Sequence, residues 1–359
     1  MRKDFQAEST QTKPKVSIGL PVYNGAQYLR FALASLGEQD YSNFELLISD
    51  NASTDNSVEI CLEYAQRDCR IKLYRNETNI GAAQNFNRLF QLSSSPYFMW
   101  AAHDDLWEPN FISKCVAALE KHPSVALCSS DVRFIDQSGQ PVTERGLRIV
   151  GGKYNRLNTV NYDLRRRVKE LSRELNWYAI YGVIRTAALK KTQLFRSIYG
   201  SDVVLLMELL LQGETLILPE LLFHYRIQKK AAADQLRDIT GKHGAGNKTT
   251  PYTDLASSLL GVIERSDLAD SVKTELMDDL LANVGRKNRR WQKRILKEHP
   301  ETNNKSPFER ARNIRKLLAP TVVEQNPTGR LHIALEERLS RLHDFGAKIR
   351  RNLERLKGY

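Results

Sequence analysis

Short apolar runs alternate with helix-like segments along the first 135 residues, and this alternation limits the folds that the chain can adopt. The apolar runs read VSIGLP, FELLISD, IKLYR, SPYFMWAA and VALCSSD. Segments of about 10–15 residues with helical spacing of their apolar positions separate them. Short strands that are apolar on both faces are typical of a parallel sheet covered by helices on each side. The sequence therefore predicts an α/β fold with a mostly parallel sheet flanked by helices.

Acidic side chains stand where two of these runs end. Asp50 closes FELLISD, and Asp104 and Asp105 follow the run YFMWAAH. Because such sheets bind ligands outside the carboxyl ends of their strands, these residues are candidates for one shared site. Adjacent carboxylates about 4 Å apart repel each other by about 1–4 kcal/mol, and a bound divalent cation removes that cost. The alternative is a helix N-cap before Pro109, where an aspartate is also favoured.

Neither of the common phosphate-binding glycine loops occurs in the sequence. The first apolar run continues as LPVYNGAQYL, without the G-x-G-x-x-G spacing of a dinucleotide site, and G-x-x-x-x-G-K-[ST] is absent throughout. If the protein binds a nucleoside diphosphate, the negative charge needs another partner. A divalent cation held by carboxylates is the natural one.

Four segments in order, LPVYNGAQYL, ELLISDNASTDNS, RNETNIGAAQNFN and HDDLWEP, resemble the successive motifs of glycosyltransferase family 2. The resemblance covers residues 14–135 closely and continues more weakly to about residue 228. It implies the GT-A fold, a Rossmann-like sheet that binds a nucleotide sugar. It also implies an inverting transferase that moves a sugar from a nucleoside-diphosphate sugar to a hydroxyl of a glycan or lipid-linked acceptor, in the synthesis of cell-surface polysaccharide or glycolipid.

The resemblance assigns nucleotide binding to residues in all four motifs and in one later strand. They are Pro21, Tyr23, Asp50, Asn79, Gly81, Asn85, Asp104 and Arg226. Pro21 and Tyr23 would line the pocket, and Asp50 would accept a hydrogen bond from the nucleobase. Arg226 would contact the diphosphate, unless it simply belongs to a strand with alternating exposure.

The resemblance also implies a Mg or Mn ion, with Asp104, Asp105 and His224 as its ligands. Many family members have an acidic residue where this chain has Ala102, which changes how the ion would be coordinated. Asp104 would be either a ligand or a partner of the ribose. His103 would be either a further ligand or a hydrogen-bonded neighbour of the two aspartates.

The candidate catalytic residue is Asp202, at the start of the apolar helical segment 202–211. An acidic residue at the corresponding helix start is the general base in the family, and general-base catalysis contributes about 10²–10⁴ in rate. The alternative is again a helix N-cap. No covalent enzyme intermediate is required for such a displacement.

Composition changes along the chain and suggests its organisation. Residues 286–359 contain 20 Lys and Arg against 8 Asp and Glu, whereas the two signs balance in the rest of the chain. We predict an N-terminal tail (1–13), a catalytic domain (14–230) and a flexible segment or lid (231–250), followed by a basic helical region (251–359). Within the catalytic domain, residues 14–135 form the donor half and residues 136–230 the acceptor half.

The basic helical region has several possible partners. Its last stretch spaces apolar residues from Leu331 to Leu356 by threes and fours, which gives one apolar face. Such a helix can lie on an anionic membrane surface. Alternatively the apolar face packs on the catalytic domain or on a second copy in a homo-oligomer. Nucleic-acid binding is not expected, because few aromatic residues are interleaved with the charges.

Two further features bear on location and class. No signal-like stretch begins the chain, and the apolar window 203–211 is far shorter than the roughly 20 residues of a membrane-spanning helix. We expect a cytoplasmic protein, at most peripheral on the inner face of the membrane. The four cysteines lack metal or redox spacing, so a reduced structural role is expected. The rival function is a noncatalytic nucleotide-sugar-binding or scaffold protein, disabled by Ala102.

Overall fold

The computed structural model describes residues 14–142, 155–174, 177–227, 251–283 and 289–299. It divides into two compact units, one comprising Met1–Tyr162 and Glu174–Gly244 and the other Asp163–Arg173 and Ala245–Tyr359. The predicted catalytic domain corresponds to the first unit, except that residues 163–173 belong with the C-terminal helices. The predicted tail (1–13), the predicted lid (231–250) and the stretch from Leu331 to Leu356 lie outside the described residues.

The described strands of the first unit form one sheet with the order β3-β2-β1-β4-β7-β6-β8-β5. They are β1 (Val16–Val22), β2 (Phe44–Asp50), β3 (Ile71–Arg75), β4 (Tyr97–Trp100), β5 (Leu106–Trp107), β6 (Val125–Ile135), β7 (Val183–Arg185) and β8 (Glu214–Arg226). β1 pairs in parallel with β2 and β4, and β2 pairs in parallel with β3. β7 is antiparallel to both β4 and β6, and β6 is parallel to β8. The expected mostly parallel sheet is confirmed.

Helices join the strands and cover the sheet. Those between residues 26 and 212 are α1 (Ala26–Gly37), α2 (Ser57–Arg67), α3 (Ala82–Leu92), α4 (Phe111–Lys121), α5 (Leu164–Glu174), α6 (Thr186–Leu189) and α7 (Ser201–Gln212), with a 3-10 helix at Tyr178–Tyr181. α1 shows why they form: Tyr28, Leu29, Ala32, Leu33 and Leu36 are buried along one stripe. This spacing places all five side chains on the face that packs on the sheet.

The core lies between the sheet and its helices. Every residue of β1 and β2 is buried, as expected for parallel strands that are covered on both faces, and this includes the polar residues Glu45, Ser49 and Asp50 of β2. Cys61, Cys115 and Cys128 are buried in this unit, Cys69 is exposed, and all four are free thiols.

The second unit consists, among its described residues, of α5 with α8 (Pro251–Arg265), α9 (Asp270–Ala282) and α10 (Arg289–Glu298). The Glu298 carboxylate accepts the amide hydrogens of Tyr252 (2.8 Å) and Thr253 (2.9 Å) in the first turn of α8. A carboxylate satisfies the free amides and the positive end of a helix dipole at such a position. The predicted helical character is confirmed for α8, α9 and α10. None of the described helices is long and apolar enough to cross a membrane.

Gly182 connects the 3-10 helix to β7 at a point of very close approach. A Cβ atom there would lie 2.4 Å from the carbonyl oxygen of Cys128 and 2.8 Å from Cβ of Ser129. Both neighbours belong to the sheet and cannot move aside easily. Gly182 therefore lets the tyrosine-bearing 3-10 helix lie directly on β6.

We predict that Gly182→Ala lowers the free energy of unfolding by about 1–3 kcal/mol, as overpacking against rigid backbone does. Gly37→Ala is the matched control, because nothing lies within 4 Å of a Cβ atom at the end of α1. Replacing that helical glycine should raise the free energy of unfolding by about 0.5–1 kcal/mol. Urea denaturation measures both, and a Gly182→Ala variant as stable as the wild type would contradict the packing described.

Candidate functional site

The site begins with the loop that follows β1. Pro21 is buried within the strand, whereas Tyr23 is 47% exposed at its end. Asn24 has a left-handed backbone (φ 49°), and its amide donates to Oγ of Ser53 (3.0 Å). The amide of Gly25 donates to Oγ of Ser57 (2.9 Å). Side chains of the segment 53–57 thus satisfy amides that lead into α1 and fix this loop against the loop after β2.

Asp55 completes this connection between the two loops. Its Oδ2 accepts the Ala26 amide (3.0 Å), and its Oδ1 accepts the Ser57 hydroxyl (2.6 Å). Partial burial alone would raise the pKa of Asp55, but these bonds to the ionised form outweigh burial and hold the pKa below its ordinary value. The hydrogen bonds that connect the two loops are therefore strongest when Asp55 is ionised.

Asp50, the predicted nucleobase partner, is fully buried at the end of β2. Its Oδ2 accepts the Ser53 amide (3.2 Å) and lies 3.7 Å from Nε of Arg75. Its Oδ1 has no hydrogen-bond partner among the described residues. Buried carboxylate oxygens are normally paired, so this oxygen is available to a donor on a ligand.

Four asparagines form a hydrogen-bonded network beside Asp50. Nδ2 of Asn51 donates to Oδ1 of Asn79 (2.8 Å), and Nδ2 of Asn76 donates to Oδ1 of both Asn51 (2.9 Å) and Asn85 (3.0 Å). Asn79 in turn accepts the Gly81 amide (2.9 Å). The network joins the ends of β2 and β3 to the start of α3.

The predicted nucleotide residues of this region occupy different positions in the network. Asn79 and Gly81 are exposed, and Gly81 has φ 85°, a conformation that favours glycine. Asn85 is only 2% exposed, and its amide exchanges bonds with the hydroxyl (2.7 Å) and carbonyl (2.9 Å) of Ser49. The buried Asn85 therefore stabilises the asparagine network from the protein interior.

The two adjacent aspartates follow β4. Asp105 is 1% exposed; its Oδ1 accepts the Arg226 amide (2.8 Å), and its Oδ2 has no partner within the described part of the chain. Burial, and then the charge of Asp104, raise the pKa of Asp105 well above its ordinary value. The neighbouring His103 packs against Gly25, where a Cβ atom would lie 2.5 Å from the imidazole Cδ2.

The N-cap alternative for these aspartates is wrong. α4 begins at Phe111 with Asn110 in the cap position, and β5 stands between Asp105 and that helix. β5 pairs antiparallel with β8, so that Leu106 faces His224. Strand pairing with β8 therefore explains the position of Asp105.

Arg226, predicted to touch the diphosphate, is almost completely buried at the end of β8. Its Nε donates to the Asp104 carbonyl (2.7 Å), and its Nη1 donates to the carbonyls of Asp136 (2.8 Å) and Gln137 (3.2 Å). The guanidinium carbon lies 4.5 Å from the centre of the Tyr28 ring. Nε and Nη1 of Arg226 therefore bind backbone carbonyls around the aspartates.

His224, predicted as a metal ligand, lies two residues earlier on β8. Its Nε2 is 2.9 Å from the Glu108 carboxylate. Burial lowers the pKa of His224, Glu108 opposes this effect, and Arg133 adds to it. The structure does not bring His224 into one ligand group with Asp104 and Asp105: in the described ranges, no three His, Cys, Asp or Glu side chains are grouped to hold a metal.

The two aspartates themselves fit a hard divalent cation. Asp104 is half-buried beside Asp105, whose Oδ2 has no partner in the described segments. Mg and Mn prefer oxygen ligands, and Mg in particular is often bound through one or two carboxylates together with substrate phosphates. The unpaired oxygen and the like-charge pair are the features that such a cation would satisfy.

Asp202 lies in the first turn of α7, but the N-cap alternative for it is wrong. The cap residue is Gly200, with φ 70°, and Asp202 is the second residue of the helix. Its Oδ1 accepts the adjacent Val203 amide (2.9 Å). Burial raises the pKa of Asp202 to about 6, which is high for an aspartate and close to the operating range of a general base.

Three tyrosines that the sequence analysis did not select lie around these carboxylates. They are Tyr178, Tyr181 and Tyr225. Burial raises the pKa of each phenol, and the charges of Asp105 and Asp202 raise it further. The rings of Tyr178 and Tyr225 are 5.2 Å apart. Asp105 and Asp202, 97 positions apart in sequence, therefore share neighbours in one aromatic region.

Comparisons with known proteins agree with this architecture. Residues 17–187 match the family described as Glycosyl transferase family 2. The chain is 35% identical to EpsE of Bacillus subtilis (strain 168) over 138 residues, which are 38% of this chain and 48% of that protein. It is 33% identical to the glycosyltransferase GlyG of Streptococcus pneumoniae over 34% of this chain and 41% of GlyG. The chain thus spans less than half the length of these relatives.

A solved structure shares the fold over a longer range. TarS 1–349 of S. aureus, crystallised in complex with UDP-GlcNAc, superposes with a TM-score of 0.59. The match covers 88% of this chain and 92% of the TarS chain at 16% sequence identity. The predicted GT-A fold is confirmed.

We predict that Arg226→Lys lowers the free energy of unfolding by about 1.5–3 kcal/mol, because an ammonium group cannot span the carbonyls that the guanidinium joins. Arg133→Lys, a half-buried position on the neighbouring strand β6, is the control and should change stability by less than about 0.5 kcal/mol. Chemical denaturation compares the two. Equal effects would mean that the guanidinium bonds contribute little.

Proposed function

We propose that this protein, whose residues 17–187 match glycosyltransferase family 2, transfers a sugar from a nucleoside-diphosphate sugar to an acceptor hydroxyl with inversion of the anomeric carbon. One observation carries the proposal: the charges of Asp105 and Asp202 both act on the same three buried phenols, those of Tyr178, Tyr181 and Tyr225, so the two carboxylates lie in one region. In such a site one carboxylate would hold the metal ion that binds the donor phosphates. The second carboxylate would take the proton of the acceptor hydroxyl. The proposed acceptor is a glycan or a lipid-linked glycan, in cell-surface polysaccharide or glycolipid synthesis.

The donor would bind along the loops after β1, β2 and β3. The unpaired Oδ1 of Asp50 would accept a hydrogen bond from a nucleobase N–H group. Tyr23, exposed at the end of β1, would cover the base, and the exposed Asn79–Gly81 turn would border the nucleoside. The UDP-GlcNAc bound by TarS makes a uridine nucleotide the first donor to examine.

The diphosphate would lie near the aspartate pair. Asp105 and Asp104 are the residues that would hold a Mg or Mn ion, with Oδ2 of Asp105 as the available oxygen. When bound, such an ion stabilises the charge that develops on the leaving diphosphate. Arg226 would position this site through two hydrogen bonds. Its Nε donates to the Asp104 carbonyl, and its backbone amide donates to the Asp105 carboxylate.

Asp202 is the proposed general base. An ionised Asp202 would take the proton from the acceptor hydroxyl as the oxygen attacks the anomeric carbon from the face opposite the leaving diphosphate. The proton moves to a carboxylate oxygen, one C–O bond forms and the bond to the diphosphate breaks. The raised pKa, about 6, makes Asp202 a better proton acceptor than a solvated aspartate.

Calorimetric titration of UDP, GDP and dTDP, with Mn and with a chelator, tests the donor site. We expect one nucleotide to bind in a metal-dependent manner, and Asp105→Asn to weaken that binding at least about tenfold by removing a charged metal ligand. Glu59→Gln, which removes an exposed carboxylate on α2, is the charge-matched control and should bind normally. Absence of nucleotide binding in all conditions would refute the proposal.

Asp202→Asn should lower the rate of UDP release from UDP-GlcNAc by about 10²–10⁴-fold while leaving UDP affinity unchanged. Because burial disfavours the ionised carboxylate, the variant should be at least as stable as the wild type at neutral pH. A coupled assay for UDP and a thermal unfolding curve measure the two effects. A wild-type rate in this variant would exclude Asp202 as the base, and loss of UDP binding with the rate would indicate a donor role instead.

The pH dependence of the same reaction provides a separate prediction. The base must be ionised, so kcat/KM should fall about tenfold per unit as the pH drops below about 6, the pKa of Asp202. Rates measured from pH 4.5 to 8, with circular dichroism to confirm folding at each pH, test this. A flat profile through pH 6 would contradict the assignment.

A further inference from the structure

The segment between α6 and α7 is fastened to α3 by one side chain. Nδ2 of Asn87 donates to the carbonyl of Phe195 (2.8 Å), and Oδ1 of Asn87 accepts the Phe195 amide (2.9 Å). Both backbone groups of Phe195 are thus paired by a single amide, much as a neighbouring strand would pair them. Asn87 and Phe195 are 108 positions apart, so this is a connection between distant parts of the chain.

The Phe195 side chain strengthens the same contact. Its ring packs edge-on against Phe86 and against Trp100, with 4.9 Å between ring centres in both cases. The preceding residue, Leu194, has φ 57°, which is unusual for a residue with a branched side chain. A backbone in this conformation persists where surrounding contacts hold it, and the paired amide and two aromatic contacts at Phe195 do so.

The other end of the segment is fastened to α7. The buried carboxylate of Glu208 accepts the Gln193 amide (2.8 Å) and binds Nη2 of Arg196 (2.5 Å). The Arg196 amide donates to Oγ of Ser201, the first residue of α7 (2.6 Å). These bonds tie the segment to α7, including its first turn, where Asp202 lies.

α3 has its own connection to the donor side of the site. It starts at Gly81, whose amide is held by Asn79, and its Asn85 is bonded to Ser49 of β2. Asn87 is two residues further along the same helix. A single rigid helix thus contacts the proposed nucleoside-binding turn at one end and the segment leading to Asp202 along its side.

We propose that Asn87 is a positioning residue that holds the start of α7, and with it Asp202, at a fixed distance from the donor. The inference rests on the proposed function, because it assigns Asn87 a role through the base. Asn87 bonds to Phe195 and has no direct part in proton transfer. Since a misplacement of about 1 Å at a reacting centre can cost about 10²-fold in rate, loss of this connection should reduce turnover more than binding.

Asn87→Leu tests the proposal, because leucine has a similar size and cannot pair with the Phe195 backbone. Gln91→Leu, an exposed amide on the same helix, is the matched control. In UDP release from UDP-GlcNAc we expect kcat to fall about 10–100-fold in Asn87→Leu, with UDP affinity within about twofold of the wild type. Gln91→Leu should keep both values. A parallel loss of UDP affinity and kcat would overturn the proposal in favour of a general structural role.

A double-mutant cycle separates positioning from general damage. If Asn87 acts through Asp202, adding Asn87→Leu to Asp202→Asn should cause little further loss, because the base is already absent. A merely structural role would lower the rate by the same factor in both backgrounds, and that result would overturn the proposal.

Hydrogen exchange tests whether Asn87 holds the start of α7, and it does so independently of the proposed function. In the ligand-free protein, amides of residues 194–204 should exchange at least about tenfold faster in Asn87→Leu than in Gln91→Leu, because local opening becomes easier. Unchanged exchange in this stretch would overturn the inference. A wild-type rate in Asp202→Asn would instead refute the assignment of the base, and faster exchange would then still establish that Asn87 holds the start of α7.

Discussion

The bond between the Arg226 amide and the Asp105 carboxylate joins the two halves of the sheet at the site. It exists because β8 runs parallel to β6 and then continues past the short strand β5, which follows the aspartates directly. The guanidinium of the same residue binds the Asp104 carbonyl and two carbonyls after β6. Arg226 thus positions both aspartates, which carry like charges and follow β4 in a loop.

Burying the charged groups of the site lowers the stability of the fold. Asp50 and Asp105 each retain one oxygen without a partner among the described residues, although buried polar atoms are usually paired. Asp202 accepts the amide hydrogen of its neighbour Val203, and burial raises its pKa. Such groups reduce stability and are kept where function requires them, so buried carboxylates of this kind favour a binding or catalytic site.

The parts of this fold that were predictable are those in which local sequence and tertiary structure agree. Most positions of β1 and β2 are apolar because both of their faces are covered, so the existence and direction of these strands follow from the pattern. The positions of Asp50, Asp104 and Asp105 then follow from the geometry of parallel strands. Asp202 required the family resemblance, because a single acidic residue at a helix start is equally typical of a cap.

Long-range contacts explain what the sequence could not predict. The guanidinium of Arg226 looks like a diphosphate ligand in sequence, yet carbonyls more than 85 positions away bind it. His224 pairs with Glu108 because β5 and β8 are antiparallel neighbours, a pairing that two residues of strand do not indicate. The tyrosines could have been found only from the alternation FHY in β8 and from the paired tyrosines of YAIY, and neither signal specifies which face meets the site.

The cap on α8 has a consequence for how the chain acquires its structure during synthesis. Glu298 binds amides of residues 252 and 253, which leave the ribosome more than 40 residues earlier. Until Glu298 has emerged, the first turn of α8 lacks this carboxylate and must rely on water for those amides. A nascent chain that stops within α10 would therefore carry an α8 whose first turn lacks its carboxylate cap.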